Sequence, residues 1–361
     1  MLFFKLSAFY FFYFASVGVY IIFLPKVLHD IGYTPSDIGI VLALSPLMRF
    51  LTPFLFLKHI KLSQIVFKNT LLLSIISSLF FYFTIDNFYL FAINNALLGV
   101  SLSIILPYIE VIAIKELKNS YGKSRLYGSI GFIFTSLFLA KLLNNPYTAL
   151  HFYFITVLLT AIYSYSLLKY DNEPHQNIEN KENFSLLKYW SFWLSLFLMQ
   201  VSFGGFYNFF TIYETSYGIS LETTSYLWAF GVICEVLMFY YQAPLLKRNL
   251  LFIIKISTLV TIFRWLLLYL YPESLGVSFF TQSLHAFSFG LYHSAVILYL
   301  YTLYSNKKLS QQFMLGIAYG LGGFTGSLIA GWIYEYFTQY IFLVSAFIAL
   351  LSLMSLKNIK K

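Results

Sequence analysis

The chain has 361 residues, of which 59% are hydrophobic, 21% aromatic and only 10% charged, with a formal net charge of +9. An ordinary soluble domain carries roughly 45–50% apolar and about 25% charged residues, so a water-soluble globule, unable to cover its surface at this composition, is excluded. The single cysteine, Cys234, lies in an apolar run and excludes an internal disulfide or a cysteine-based metal cluster.

A bilayer core demands about 20 consecutive apolar residues per helix. Such windows fall at 4–28, 36–57, 63–83, 88–114, 124–143 and 148–168, and again at 189–213, 223–245, 249–271, 275–303, 311–336 and 339–357. The first is too long for a signal peptide and lacks a small-residue cleavage site after it, so it reads as an uncleaved span. The only long polar interval is 169–188, with Asp171, Glu173, Pro174, His175, Glu179, Lys181 and Glu182. The predicted fold is an all-α membrane protein of twelve transmembrane helices. It divides into an N-terminal six-helix bundle (1–168), a cytoplasmic linker (169–188) and a C-terminal six-helix bundle (189–361).

Basic residues cluster in every second loop, a membrane-topology pattern that argues against nucleic acid as partner. With the N-terminus in the cytoplasm, nineteen Lys/Arg fall on that face, from Lys5 through Lys58, Lys61, Lys68 and Arg125 to Lys308, Lys360 and Lys361; only Lys26 and Lys141 fall outside. The positive-inside rule then predicts both termini cytoplasmic.

The halves show internal similarity. Gly32-Tyr33-Thr34-Pro35-Ser36-Asp37 precedes the second window and Gly218-Ile219-Ser220-Leu221-Glu222-Thr223 the eighth. Thr34 and Ser220 stand where a helix N-cap is wanted, and Pro35 fits the first helical position. Gly128 and Gly131 in the fifth window match Gly320, Gly322 and Gly323 in the eleventh, spacings that let helices approach closely in lipid. These features predict a parallel repeat.

A mid-bilayer charge costs about 2.5–3.5 kcal/mol on insertion scales, so each one needs a reason. The candidates are Arg49, Glu110, Glu235, Arg264, His285 and His293. In a structural reading the arginines merely neutralise the acids. In a functional one, Glu235 and Glu110 take and release a coupling proton as a neighbouring arginine moves. His285 and His293, about 12 Å apart along a helix axis, suit a proton relay. No metal is expected, because that spacing is too long for one ion. Pro25 and Pro107 are expected to break their helices and shape a cavity. The chain holds no G-x-x-x-x-G-K-[ST] run, no H-E-x-x-H pair and no G-x-S-x-G elbow, so no cofactor is expected and a proton gradient is the predicted energy source.

Several runs resemble the phenylpropionate permease branch of the major facilitator superfamily, a relative of lactose permease and the nucleoside–proton symporters. They are Phe23-Leu24-Pro25, Gly32-x-Thr34-Pro35-x-x-Ile38-Gly39, Arg49-Phe50-Leu51 and Tyr121-Gly122-Lys123-x-Arg125-Leu126-Tyr127-Gly128-Ser129. In the second half come Gln200, Tyr207, Ile212-Tyr213, Tyr226-Leu227-Trp228-x-x-Gly231-Val232-x-x-Glu235-Val236, Arg264-Trp265 and Leu284-His285 with His293. The sequence departs from the family at Tyr127, where Trp is usual, at Glu110, where Asp is usual, and in the short 57–61 loop. The resemblance implies a monomeric, proton-coupled symporter in a bacterial cytoplasmic membrane, carrying an aromatic or other organic acid. Arg264 or Arg49 would hold the carboxylate, and Gln200, Tyr207 and Trp228 would line the pocket. A sugar or nucleoside symporter and an exporter are the alternatives within transport. A membrane-embedded enzyme or a receptor would need a nucleophile, metal cluster or appended soluble domain, none of which the sequence offers.

Overall fold

The computed structural model describes residues 1–58, 63–171 and 185–358. His59, Lys61, Lys360, Lys361 and the 172–184 part of the linker, with His175 and Lys181, lie outside the described residues. Within them every regular element is helical. In chain order these are α1 (Leu2–Asp30), α2 (Pro35–Lys58), α3 (Gln64–Thr84), α4 (Phe88–Leu117), α5 (Tyr121–Leu142) and α6 (Pro146–Leu167). They continue as α7 (Trp190–Ser202), α8 (Gly204–Ser216), α9 (Leu221–Tyr241), α10 (Leu250–Leu270) and α11 (Leu275–Leu303). The last are α12 (Lys307–Met314), α13 (Gly323–Phe337) and α14 (Ile341–Ser355). Nine helical segments among the described residues are long and apolar enough to cross a bilayer. Their outer faces expose large apolar side chains such as Phe83 (74%), Phe4 (67%) and Ile93 (62%), a surface that lipid can solvate and water cannot.

Short polar caps punctuate the apolar runs. Asp37 N–H donates to Thr34 Oγ1 (3.2 Å) while Thr34 N–H donates to Asp37 Oδ2 (3.3 Å), a reciprocal capping box that starts α2 on Pro35. Thr223 N–H donates to Ser220 Oγ (3.1 Å) at the start of α9. Both turns begin on a glycine with positive φ, Gly32 at +102° and Gly218 at +86°, a conformation that closes the preceding helix and penalises any Cβ. Wider π-helical turns interrupt the regular winding at Val19–Phe23, Ala286–Leu291 and Leu315–Gly322. The first lies just before Pro25, while Pro107 and the α2 prolines Pro46 and Pro53 sit inside their helices. The seventh window is broken at Phe203, which parts α7 from α8 ahead of Gly204-Gly205.

The chain forms two compact units that divide between Ile178 and Glu179. In the N-terminal unit α1 packs along α5 and α2 along α4. Its core joins Phe9 and Tyr13 of α1 to Ile109 and Tyr108 of α4, the last stacked on Phe67 of α3 at 3.9 Å. Buried Asn95 donates to Val41 O (2.7 Å) and bonds Tyr20 Oη, tying α4 to α2 and α1. In the C-terminal unit α14 packs on α7 and α10, α13 on α8, and α9 and α10 on α11. Trp265 fills that core, fully buried between Phe203 and Phe342.

Glycines allow close helix contacts in both units. A Cβ at Gly131 would lie 2.1 Å from Phe11 O, and one at Gly204 2.2 Å from Gly326 O. Both are backbone collisions that no rotamer change relieves. Gly131→Ala and Gly204→Ala are therefore each expected to destabilise by about 1–3 kcal/mol or more. A thermal-unfolding series in detergent checks this, with Gly276→Ala, whose Cβ meets nothing within 4 Å, as the silent control.

Candidate functional site

The polar centre of the C-terminal unit is assembled from three helices. Glu235 comes from α9, Arg264 from α10, and Gln282, His285 and Ser288 from α11. Small residues make the approach possible. A Cβ at Gly231 would lie 2.9 Å from Gln282 Oε1, and one at Gly290 would lie 3.3 Å from Glu235 Cγ. The Gly231 and Glu235 of the Y-L-W-x-x-G-V-x-x-E run thus have one purpose: the glycine admits Gln282, and the acid one turn on meets His285.

Arg264 is fully buried. Its Nη1 lies 3.0 Å from His285 Nδ1 and donates to Ser288 Oγ (3.2 Å), and its Nη2 donates to Gln282 Oε1 (3.2 Å). The guanidinium sits over Phe206 (4.3 Å to the ring centroid) and Trp265 (4.6 Å), contacts that favour a desolvated arginine. On the far side of the imidazole, His285 Nε2 is 3.3 Å from Glu235 Oε2, with these side chains 8% and 17% exposed. The roles follow from valence. Guanidinium nitrogens only donate, so Nδ1 of His285 must be the accepting nitrogen. The ring hydrogen then sits on Nε2 and points to the carboxylate. Glu235 and Arg264 form no direct ion pair; a neutral histidine stands between them.

His285 also begins a stacked column. Its ring lies on Phe289 (5.3 Å, 3°), and Phe289 lies on His293 (5.8 Å, 17°). The Ala286–Leu291 π turn accounts for the alignment: its wider winding brings residues four apart closer to one line than an α-helix would. His293 Nδ1 reaches Tyr319 Oη at 2.6 Å. Gln200, Phe203, Ser288, His293 and Tyr319 line a recess of about 20 Å³, room for a water molecule and not for an organic substrate.

The remaining candidates have other surroundings. Half-buried Tyr207 stacks on Phe203 at 5.6 Å. Trp228 is buried against Phe206 (4.6 Å) and donates Nε1–H to Thr211 Oγ1 (3.0 Å), so it backs the ring that Arg264 lies on. In the N-terminal unit, Glu110 accepts from Arg125 Nε (3.1 Å) and Tyr121 Oη (3.4 Å), and Arg125 lies over Phe14 (4.2 Å) and Tyr10 (5.2 Å). Arg49 is exposed on α2, with no hydrogen bond or ion pair among the described residues. Sequence reasoning missed Gln282, Ser288 and Tyr319, which are ordinary residues for a membrane helix. It also missed Glu214, fully buried one residue past the end assigned to the seventh window.

Long apolar helices wrapped round buried ionisable groups fit a multi-pass membrane transporter, and comparison with known proteins supplies the family. Residues 3–344 match the MFS_1 like family, and the chain belongs to it. The probable 3-phenylpropionic acid transporter of Escherichia coli is 26% identical over 94% of this chain and 93% of its own length. The uncharacterized transporter YwbF of Bacillus subtilis is 27% identical over 93% and 86%. Among solved structures, nucleoside transporter NupG superposes with a TM-score of 0.81 at 17% identity, covering 99% of this chain and 100% of that one. A bacterial homolog of the human lysosomal transporter Spinster gives 0.71 at 12%, over 98% and 95%. At these identities the structural likeness speaks for the fold.

Proposed function

We propose that this transporter couples the uptake of a small organic acid to protons, and that the Arg264–His285–Glu235 array is the coupling element. One observation carries the reading: a neutral imidazole holds a buried cation on one nitrogen and an acid on the other. A proton entering at Glu235 or His285 changes both contacts. If His285 becomes cationic, its Nδ1–H opposes the Arg264 N–H at 3.0 Å, and Arg264 must let go. A released arginine is an anion site. Arg264 Nε and Gln282 Nε2 already donate to nothing among the described residues, and a carboxylate supplies acceptors for both. Proton loading and anion binding then favour each other, as linkage requires, and acid and proton move together.

Glu235 and His285 carry the proton in this scheme, with His293 as relay through the water-sized recess it shares with Ser288 and Glu110 as the second carboxylate. Arg264 and Arg49 hold the substrate's charge; Gln200, Tyr207 and Trp228 shape its apolar body. The E. coli relative named for 3-phenylpropionic acid supports an aromatic acid, as do the aromatic rings around Arg264. The architecture in this reading is twelve spans in two six-helix bundles related by a parallel repeat. Here α7 and α8 make one crossing, and the 47-residue Leu309–Ser355 stretch makes two, since about 70 Å of helix exceeds one bilayer twofold. The protein is a monomer in a bacterial cytoplasmic membrane, both termini inside, and needs no cofactor beyond the proton gradient. Uptake into proteoliposomes of labelled aromatic acids, sugars and nucleosides, with and without an imposed proton gradient, tests the proposal. Acid accumulation that collapses with a protonophore is expected. Gradient-driven uptake confined to a nucleoside or a sugar would replace the substrate, and gradient-independent uptake would remove the coupling.

A further inference from the structure

Glu214, in the last turn of α8, takes no part in the array. None of its side chain is exposed. Among the described residues its one hydrogen-bond partner is Ser278 of α11, whose Oγ lies 3.1 Å from both Oε1 and Oε2. No lysine, arginine or histidine among the described residues pairs with it. Removing an ion from water is expensive, and one neutral hydroxyl does not offset it; such a group sheds its charge instead. The equal distances suit a carboxylic acid, whose O–H donates to Ser278 while the serine hydroxyl returns a bond to the other oxygen.

The neighbours supply no compensating charge. On α8 and just past it stand Tyr213, whose Oη donates to Leu268 O (2.9 Å), and Tyr217. α13 brings Tyr334, stacked on Phe209, and half-buried Glu335. α9 brings Glu222, bonded to Tyr226 at the exposed end of that helix. α10 brings Arg264, engaged with Gln282, His285 and Ser288. α7, α14 and the 275–283 stretch of α11 carry no ionisable side chain. Ser278 precedes His285 by seven residues, about 10 Å along the axis, with Gln282 between them on the same face. Glu214 and Glu235 therefore occupy separate stations beside α11.

We propose that Glu214 is a second proton-binding site, distinct from Glu235: a neutral carboxylic acid that ties α8 to α11 through Ser278 and exchanges its proton only when that contact parts. Infrared difference spectroscopy of the full-length protein in liposomes, titrated from mildly acid to alkaline pH, tests this without any substrate. The wild type should show the carbonyl stretch of a protonated, buried carboxyl at neutral pH, and Glu214→Gln should lack that band. Ser278→Ala should keep the band and shift it to higher frequency, because the carboxyl loses the hydroxyl that bonds both of its oxygens. Identical carboxyl bands in wild type and Glu214→Gln would overturn the proposal. If Glu214→Gln does not fold, Ser278→Ala decides alone: an upward frequency shift supports the site and an unmoved band overturns it.

Discussion

Glu235→Gln is expected to abolish uphill accumulation of substrate while leaving exchange down its own gradient within a few-fold of normal. The amide oxygen replaces Oε2 as acceptor for His285 Nε2–H, at 3.3 Å in the native pair, so the imidazole keeps its tautomer and Arg264 keeps its acceptor. What the amide cannot do is take up and release a proton. The gradient then has no handle on the array, and the internal-to-external ratio should settle at unity in proteoliposomes with an imposed proton gradient. Counterflow, which needs binding and reorientation without net proton movement, should persist. A variant that still concentrates substrate at the normal rate would move the coupling site elsewhere, to Glu110 first. Glu110 is a weaker candidate in the structure, because Arg125 and Tyr121 hold it in a standing ion pair.

Much of the helical layout is legible in the residues because lipid imposes a one-dimensional constraint. A span must be apolar over its whole length and its ends must be capped. Thr34, Pro35 and Ser220 sit where the chain turns back, and each does what its chemistry allows. The break at Phe203 is less legible. An apolar run without proline reads as continuous, and only Gly204-Gly205 hint that the backbone bends to meet Gly326.

The array was legible as a set of misplaced charges and illegible as a geometry. Cost alone singles out Arg264, Glu235 and His285, and consecutive helices suggest an acid–base pair. Helix rotation decides who touches whom, and that depends on the glycines at 231 and 290 and on the π turn after His285. The histidine consequently lies between the charges. Arg125 reads as one more loop cation in a topology count, yet it is Glu110's partner. Glu214 escapes because Thr215 and Ser216 follow it, so it resembles a solvated helix end. Its burial comes from α11, which local sequence does not report.

Arg264→Ala should be the most damaging substitution in the protein, reducing uptake by about 100-fold or more with any substrate. The guanidinium is fully buried and donates to three acceptors on α11. Removing one partner of a buried charged network costs about 3–5 kcal/mol, or roughly two to four powers of ten. The mechanism of the loss is specific. Without Arg264, His285 Nδ1 loses its donor and the array keeps a buried acid with no permanent cation to balance it. Arg264→Lys should recover only part of the activity, since an ammonium on a flexible stem lacks the planar fork that reaches His285 and Gln282 together. Combining Arg264→Ala with Glu235→Gln also removes the acid that Arg264 had balanced. The double variant should therefore unfold at a higher temperature than Arg264→Ala alone, although it still cannot transport. Fluorescence-detected size-exclusion stability and counterflow on the three variants measure both effects. If the double variant is no more stable than the single, Glu235 and Arg264 are not energetically coupled through His285. If Arg264→Ala retains more than about a tenth of normal uptake, a loss under 1.4 kcal/mol, the buried arginine is a packing element.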